Sequence, residues 1–136
     1  MRPLPELTAE NTAFWTGGER GELMIAVCDA CAAAIHPPQV VCPACFSRSV
    51  TPRASAGTGT IYTFTVNHQP WLPDMKVPFA IAVVDVDGAR GVRVTAPMTG
   101  CDPAEVRIGQ RVTIAFEPGG DVWLPLWRLL AAGAGA

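Results

Sequence analysis

Charge is scarce in this chain. Of its 136 residues only 16% are Asp, Glu, Lys or Arg, and the formal net charge is −2. The first 58 residues carry four basic and five acidic side chains, and the remainder six and seven. Neither part has the positive field that neutralises phosphates, which argues against nucleic acid as a partner. A surface so poor in charge points instead to a protein covering part of it. Long apolar runs are also lacking. The best candidate, Val122 to Ala132, is interrupted by Pro125 and Arg128 and is too short to span a bilayer. Met1 to Asn11 holds Pro3, Pro5, Glu6 and Glu10 where the apolar stretch of a secretory signal would lie. The expectation is a cytoplasmic protein with no membrane partner.

Catalytic vocabulary is thin as well. There is no phosphate-cradling Gly-rich loop with a Lys and no Ser-centred elbow. The histidines are His36 and His68. His36 lies between two cysteine pairs and reads as a turn or packing residue. His68 and Cys101 are types that can pair as base and nucleophile, but they sit on different loops and nothing orients them. Asp85 and Asp87 would alternate onto one strand face, and they flank a turn signal.

What the chain does have is cysteine. Five cysteines without an export signal point to metal rather than to a disulfide framework. Cys28-Asp-Ala-Cys31 and Cys42-Pro-Ala-Cys45 are separated by ten residues. Each pair suits a tight turn aiming two sulfurs at one point, and two such knuckles supply the thiolate tetrahedron that zinc accepts. An iron site of the rubredoxin kind takes the same ligands. With protein sulfur at all four positions no site is open to water or substrate, so the metal is expected to be structural. Its binding energy, roughly 10–16 kcal/mol in comparable sites, would fold a ribbon too small for its own core. Cys101 is left over, by the Asp102 cap, and reads as an inert, at least half-buried thiol.

The rest of the sequence divides around that motif. Residues 1–22 read as a helical arm. Thr8 is expected to cap a short helix, with Leu7, Phe14 and Trp15 as its apolar patch and Gly17-Gly18 as its stop. Residues 23–56 form the ribbon, entered by an apolar strand from Leu23 to Val27. From 57 to 130 the pattern is β. Tyr62, Phe64 and Val66 alternate with Ile61, Thr63 and Thr65, which puts Tyr62 and Phe64 inside a barrel. Asn67 to Val77 is a long loop. Pro78 to Val86 reads as a strand buried on both faces, Asp87-Gly88 as a hairpin turn, and Val92, Val94 and Ala96 as an inward row. Asp102-Pro103-Ala104-Glu105 signals a one-turn helix with a capping box. Val112, Ile114 and Phe116 point inward on the next strand. Val122 to Leu130 is the last, placed at an edge by Pro125. Residues 131–136 are expected to be a disordered tail. Five short strands with a helical turn before the fourth suggest an OB-type barrel, so the fold class is mainly β. Trp15, Trp71, Trp123 and Trp127 fall on the arm, a loop and the last strand, where large aromatics serve either interfaces or barrel ends.

These features occur in a recognisable order: Phe14-Trp15, the two cysteine pairs flanking His36-Pro37-Pro38, Gly57-Thr-Gly-Thr-Ile-Tyr-Thr-Phe-Thr-Val66, Pro78 opening a buried strand, and Asp102-Pro103 before Val106-Arg-Ile-Gly109. From about residue 10 to 128 the chain resembles the zinc-ribbon/OB-fold acyl-CoA-associated family, also called domain of unknown function number thirty-five. The family usually has Gly after the second cysteine of each knuckle, where this chain has Ala32 and Phe46. The resemblance implies a helix, a rubredoxin-like ribbon and an OB barrel. It also implies a non-catalytic accessory subunit that binds a thiolase-fold enzyme. Such a partner would be a lipid-transfer-protein-type aldolase cleaving a steroid or lipid side-chain CoA thioester, or else an acetyl-CoA acyltransferase. The expected assembly is a heterotetramer, with acyl-CoA at or near the interface and Trp15, His68, Trp71, Trp123 and Trp127 as contact or channel candidates. A single-stranded nucleic-acid module and a self-sufficient thioester hydrolase are the competing readings. The first would show salt-dependent DNA binding, the second turnover lost in His68→Ala.

Overall fold

The computed structural model describes residues 2–130, so the expected tail at 131–136 lies outside the described residues. The arm holds one short helix, α1 (Thr12–Thr16), and a 3-10 turn at Gly17–Arg20. Eight strands follow: β1 (Met24–Cys28), β2 (Ala34–Ile35), β3 (Val50–Ala54), β4 (Thr58–Asn67), β5 (Phe79–Val86), β6 (Arg93–Thr99), β7 (Arg111–Gly119) and β8 (Val122–Leu129). They make two sheets. One is a three-stranded antiparallel ribbon in the order β2-β1-β3, and the other is a closed barrel in the order β4-β5-β6-β8-β7. Counted from β4, the barrel runs first, second, third, fifth, fourth, the arrangement of an OB-fold.

The arm corrects one expectation and extends another. Thr8 does not cap α1, whose first flanking residue is Asn11. Instead Thr8 and Asn11 bond each other reciprocally, the Thr8 amide donating to Asn11 Oδ1 at 2.7 Å and the Asn11 amide to Thr8 Oγ1 at 3.3 Å. This closes a turn ahead of the helix. α1 does stop at Gly17, as expected, but the chain stays coiled. The 3-10 turn carries on through Gly17 and Gly18 and ends at Gly21, whose φ of 71° is left-handed. Packing also explains Gly18: a Cβ there would run into the Trp123 side chain and the Phe116 ring. The arm thereby lies on β7, β8 and β1, which supplies the support that five helical residues need.

The ribbon contains a strand not foreseen from sequence, β3, paired along its length with β1. Pro52 is tolerated within it because β3 is an edge.

The barrel core follows the alternating apolar rows. Val92, Val94 and Ala96 are buried, as are Ala80, Ala82, Val84 and Val86 on β5. Along β4 the row breaks. A bulge between Ile61 and Thr63 shifts the register against β5. Ile61 is buried, Tyr62 is turned out to 49% exposure, and Phe64 and Val66 return to the core. Tyr62 therefore does not fill the barrel. An extra residue in a strand resets which side chains face in.

The last strand corrects the edge assignment. β8 lies between β7 and β6, with Met98 opposite Trp127 and Thr99 opposite Arg128 in parallel register. Pro125 is accommodated because that parallel pairing begins only two residues later. The Asp87-Gly88 turn is wider than two residues, since β5 ends at Val86 and β6 starts at Arg93. The Asp102 capping box is present, with the Ala104 amide donating to Asp102 Oδ1 at 2.9 Å and the Asp102 amide to Glu105 Oε1 at 3.2 Å.

Candidate metal centre and interface residues

Cys28 ends β1, so the sheet fixes the first sulfur, and the chain turns at once into the first knuckle. There the Ala32 amide returns to the Cys28 carbonyl at 2.9 Å, and in the second knuckle the Phe46 amide returns to the Cys42 carbonyl at 2.8 Å. Closing each loop this way forces a left-handed residue after the second cysteine: Ala32 has φ 64° and Phe46 φ 63°. An L-residue pays roughly 1–2 kcal/mol there where glycine would not. The amides inside the turns face sulfur. Cys31 N lies 3.4 Å from Cys28 Sγ, and Ala44 N 3.4 Å from Cys42 Sγ. The Cys31 amide lowers the Cys28 thiol below its ordinary range, which favours the thiolate.

The four sulfurs converge. Cys28 and Cys45 are 3.5 Å apart, Cys31 and Cys42 3.7 Å, and all four lie within 4.8 Å of one another. A zinc ion bonded to sulfur at about 2.3 Å in a tetrahedron needs edges of about 3.8 Å. The spacing is far beyond the ~2.05 Å of a disulfide. The donor set fits a structural zinc ion and leaves no coordination position for a substrate. Cys28 and Cys42 are buried while Cys31 and Cys45 face outward. The inner pair joins a small core with Ala26 and Ile35.

The aromatic candidates separate. Trp127 is not an interface residue. It is fully buried in the barrel, and its indole N–H donates to the Val94 carbonyl at 3.2 Å. Trp123 is half-buried under Gly18 of the arm. Trp15 stacks edge-on to Phe14 at 4.9 Å and faces a cleft of about 640 Å³ shared with His36, Pro38, Arg93 and Pro125. Trp71 stands out on the long loop at 71% exposure, its indole N–H held by Asn67 Oδ1 at 3.0 Å. His68 is exposed on the same loop.

Cys101 is half-buried against the barrel core, and burial, with Glu105 and Asp102 nearby, raises its thiol. That suits an inert thiol, not a nucleophile. His36 packs on Phe14 at 5.0 Å between ring centres, and burial lowers its pKa. Among the described residues its Nδ1 is the one buried side-chain polar atom without a hydrogen-bond partner.

Two charged pairs were not foreseen. Arg93 lies over the Tyr62 ring at 3.7 Å and bonds Asp85 at 2.9 Å. Asp87 accepts from Arg111 Nη1 at 2.9 Å and from Thr58 at 2.6 Å. The Arg93 contacts form across the neighbouring strands β4, β5 and β6, and the Asp87–Arg111 pair forms only where β7 closes onto β4.

Comparison with known proteins agrees with this geometry. Residues 15–51 match the family model described as the ChsH2 rubredoxin-like zinc ribbon domain, and residues 52–117 match the ChsH2 C-terminal OB-fold domain. A solved chain described as "Ltp2-ChsH2(DUF35) aldolase" superposes with a TM-score of 0.82 at 28% identity, over 93% of this chain and 98% of that one. The chain belongs to the DUF35 family. Two curated relatives are longer. One is a 3-oxo-4,17-pregnadiene-20-carboxyl-CoA hydratase alpha subunit of Mycobacterium tuberculosis, 34% identical over 93% of this chain and 38% of that protein. The other is a probable enoyl-CoA hydratase alpha subunit of Thermomonospora curvata, 30% identical over 94% of this chain and 40% of that protein. The chain thus spans about two fifths of the length of these relatives. No helix among the described residues is long and apolar enough to cross a membrane.

Proposed function

We propose that this protein is a non-catalytic subunit that docks on a thiolase-fold, lipid-transfer-protein-type enzyme and supports retro-aldol cleavage of a steroid or lipid side-chain CoA thioester. The observation that carries the reading is the likeness, along nearly the full length of both chains, to the DUF35 chain named with Ltp2 as an aldolase. In such a cleavage a base takes the proton of a β-hydroxyl group, the adjacent carbon–carbon bond breaks, and an acid protonates the α-carbon of the thioester. In this reading the enzyme subunit supplies both groups. Cys28, Cys31, Cys42 and Cys45 hold a structural zinc, and the ribbon and barrel present a rigid surface. Trp15 and Trp71, with His68 beside the latter, are the contact or channel residues. The assembly is a heterotetramer in which acyl-CoA reaches the interface.

The acyltransferase alternative shares the partner fold, but the solved chain that superposes is described as an aldolase. A hydratase-linked role is favoured by the names of the two longer relatives, of which this chain matches only a part. Nucleic-acid binding is disfavoured by Arg93, which covers the Tyr62 face that a base would need.

The test is co-expression with the host's Ltp2-type subunit. The expected outcome is co-purification in a fixed ratio and cleavage of a β-hydroxyacyl-CoA thioester that requires both chains. Independent purification of the two, or cleavage indifferent to this chain, refutes the reading.

A further inference from the structure

The barrel wall has a slot in it, and two prolines hold the slot open. β6 and β8 run parallel, yet they pair only at Met98–Trp127 and Thr99–Arg128. The alternation of backbone groups along each strand shows why the ladder stops there. The Val86 amide donates to the Val92 carbonyl at 3.2 Å, so Val92, Val94 and Ala96 turn their backbone groups to β5, and Arg93, Thr95 and Pro97 turn theirs to β8. On β8 the Leu130 amide donates to the Arg111 carbonyl at 3.0 Å. Leu124, Leu126 and Arg128 therefore face β7, and Trp123, Pro125 and Trp127 face β6. The next two bonds of the parallel ladder would run from position 97 to the Pro125 carbonyl and from position 125 to the Thr95 carbonyl. Both donors are proline, which has no amide hydrogen.

Beyond the prolines, the outward backbone of Arg93 and Thr95 has no paired strand among the described residues. Both residues are exposed. Thr95 lines the cleft of about 640 Å³ and a second one of about 160 Å³, and Trp15 and Pro125 line both with it. The Arg93 guanidinium is already placed over Tyr62 and bonded to Asp85. The slot thus offers main-chain donors and acceptors and an apolar wall, not a free charge. The complement of an unpaired strand edge is another extended backbone. The walls decide its form. The sheet edge of a second copy, with its own strands beside it, would meet Trp15 and the arm, whereas a single extended segment can lie between them.

We propose that the open edge of β6, at Arg93 and Thr95, takes one extended segment of the enzyme subunit as an added strand, with uncharged side chains against Trp15. The proposal rests on the docking function above and deepens it by naming the contact, main chain to main chain. The edge is held by β5 on its other side, so it is in place before the segment arrives and little order is lost on binding.

The test measures affinity for the purified Ltp2-type subunit by calorimetry, using full-length zinc-loaded chains. Thr95→Pro deletes the outward amide, and the β5 ladder loses no bond because that amide faces away from it. Thr95→Val changes the side chain and keeps the amide. Pro97→Val combined with Pro125→Val restores both missing donors, so that β8 zips along β6 and closes the slot. Thr95→Pro is expected to keep its zinc and fold and to bind at least tenfold more weakly. The double variant should melt higher than wild type and also bind at least tenfold more weakly. Thr95→Val should stay within twofold. In the wild-type complex, hydrogen exchange at the Thr95 amide should slow at least tenfold against the free chain. Unchanged affinity in folded Thr95→Pro, or in the stabilised double variant, overturns the proposal. So does a loss in Thr95→Val equal to that in Thr95→Pro, which assigns the contact to the side chain. A Thr95 amide that exchanges as fast in the complex as in the free chain overturns it as well, whatever the variants do. If the wild-type chain does not bind the enzyme at all, the docking function itself fails, and this inference with it.

Discussion

The ribbon and the barrel solve the same problem with different means. The barrel closes a five-stranded sheet around Ile61, Val84, Val94, Val106, Val112 and Trp127, every one at most 1% exposed. Leu23 and Ile25 of the ribbon pack into that same core, and the ribbon's own buried cluster is Ala26, Cys28, Ile35 and Cys42. Two of those four residues are sulfur donors. A core this small cannot offset the entropy of ordering some thirty residues, so in the ribbon the metal takes the place that apolar volume holds in the barrel. The two halves should therefore fail under different insults, although Leu23 and Ile25 join the ribbon to the barrel core.

Removing the metal should have the largest effect. Chelation, or Cys42→Ser, is expected to abolish zinc binding and unfold the ribbon, because the lost energy is on the order of 10 kcal/mol. Hydrogen exchange would show β1–β3 losing protection while β4–β8 keep it. Simultaneous loss in both sheets would break the comparison. Trp127→Ala is the converse. It empties the barrel centre and removes the indole bond to the Val94 carbonyl, at a cost of about 3–5 kcal/mol. Urea unfolding would register the drop, with zinc content unchanged.

The arm bridges the two halves, so a smaller effect should appear there. Gly18→Ala pushes a methyl group into Trp123 and Phe116. An expected cost of about 1–3 kcal/mol for overpacking should appear as faster proteolysis within residues 2–20, with the metal retained.

The smallest effect concerns Asp87, whose carboxyl Arg111, and then Thr58, hold down at about 2 against an ordinary 3.8. A depressed carboxyl stabilises the fold fully above the ordinary value, and that contribution is lost as pH falls through about 2. The pair is more than a third exposed, so solvent screening should keep the effect under about 1 kcal/mol. Asp87→Asn should remove this acid sensitivity of the barrel, read by near-UV circular dichroism so that acid release of zinc from the ribbon does not confuse the result.

The ribbon was the more legible half. Its ligands are named by spacing alone, because two short turns and a return strand leave few ways to place four sulfurs. In the barrel, Val92, Val94 and Ala96 alternate without interruption, and the row is readable. Tyr62 was misplaced because a bulge changes the phase within one strand, and a bulge depends on the partner strand, not on its own residues. Trp127 was misplaced because Pro125 suggested an edge. The parallel pairing that buries β8 begins after the proline, and only the closed topology reveals it. Gly17-Gly18 was rightly read as a helix stop, but the reason Gly18 must be small comes from Phe116 and Trp123, about a hundred positions on, and was not readable locally. Phe46 and Ala32 were noted as departures from glycine, and both knuckles keep the left-handed backbone all the same.

Chain order sets a timetable for synthesis. The sequence from Met24 to Ala54 contains every strand and sulfur of the ribbon, so this unit can take up its ion as soon as it leaves the ribosome. The arm is translated earlier, but part of its seat is the final strand, β8. Phe14 and Trp15 must therefore wait in solvent or on a chaperone until the last residues of the barrel emerge. The arm is made before its seat and is among the last segments to be locked down.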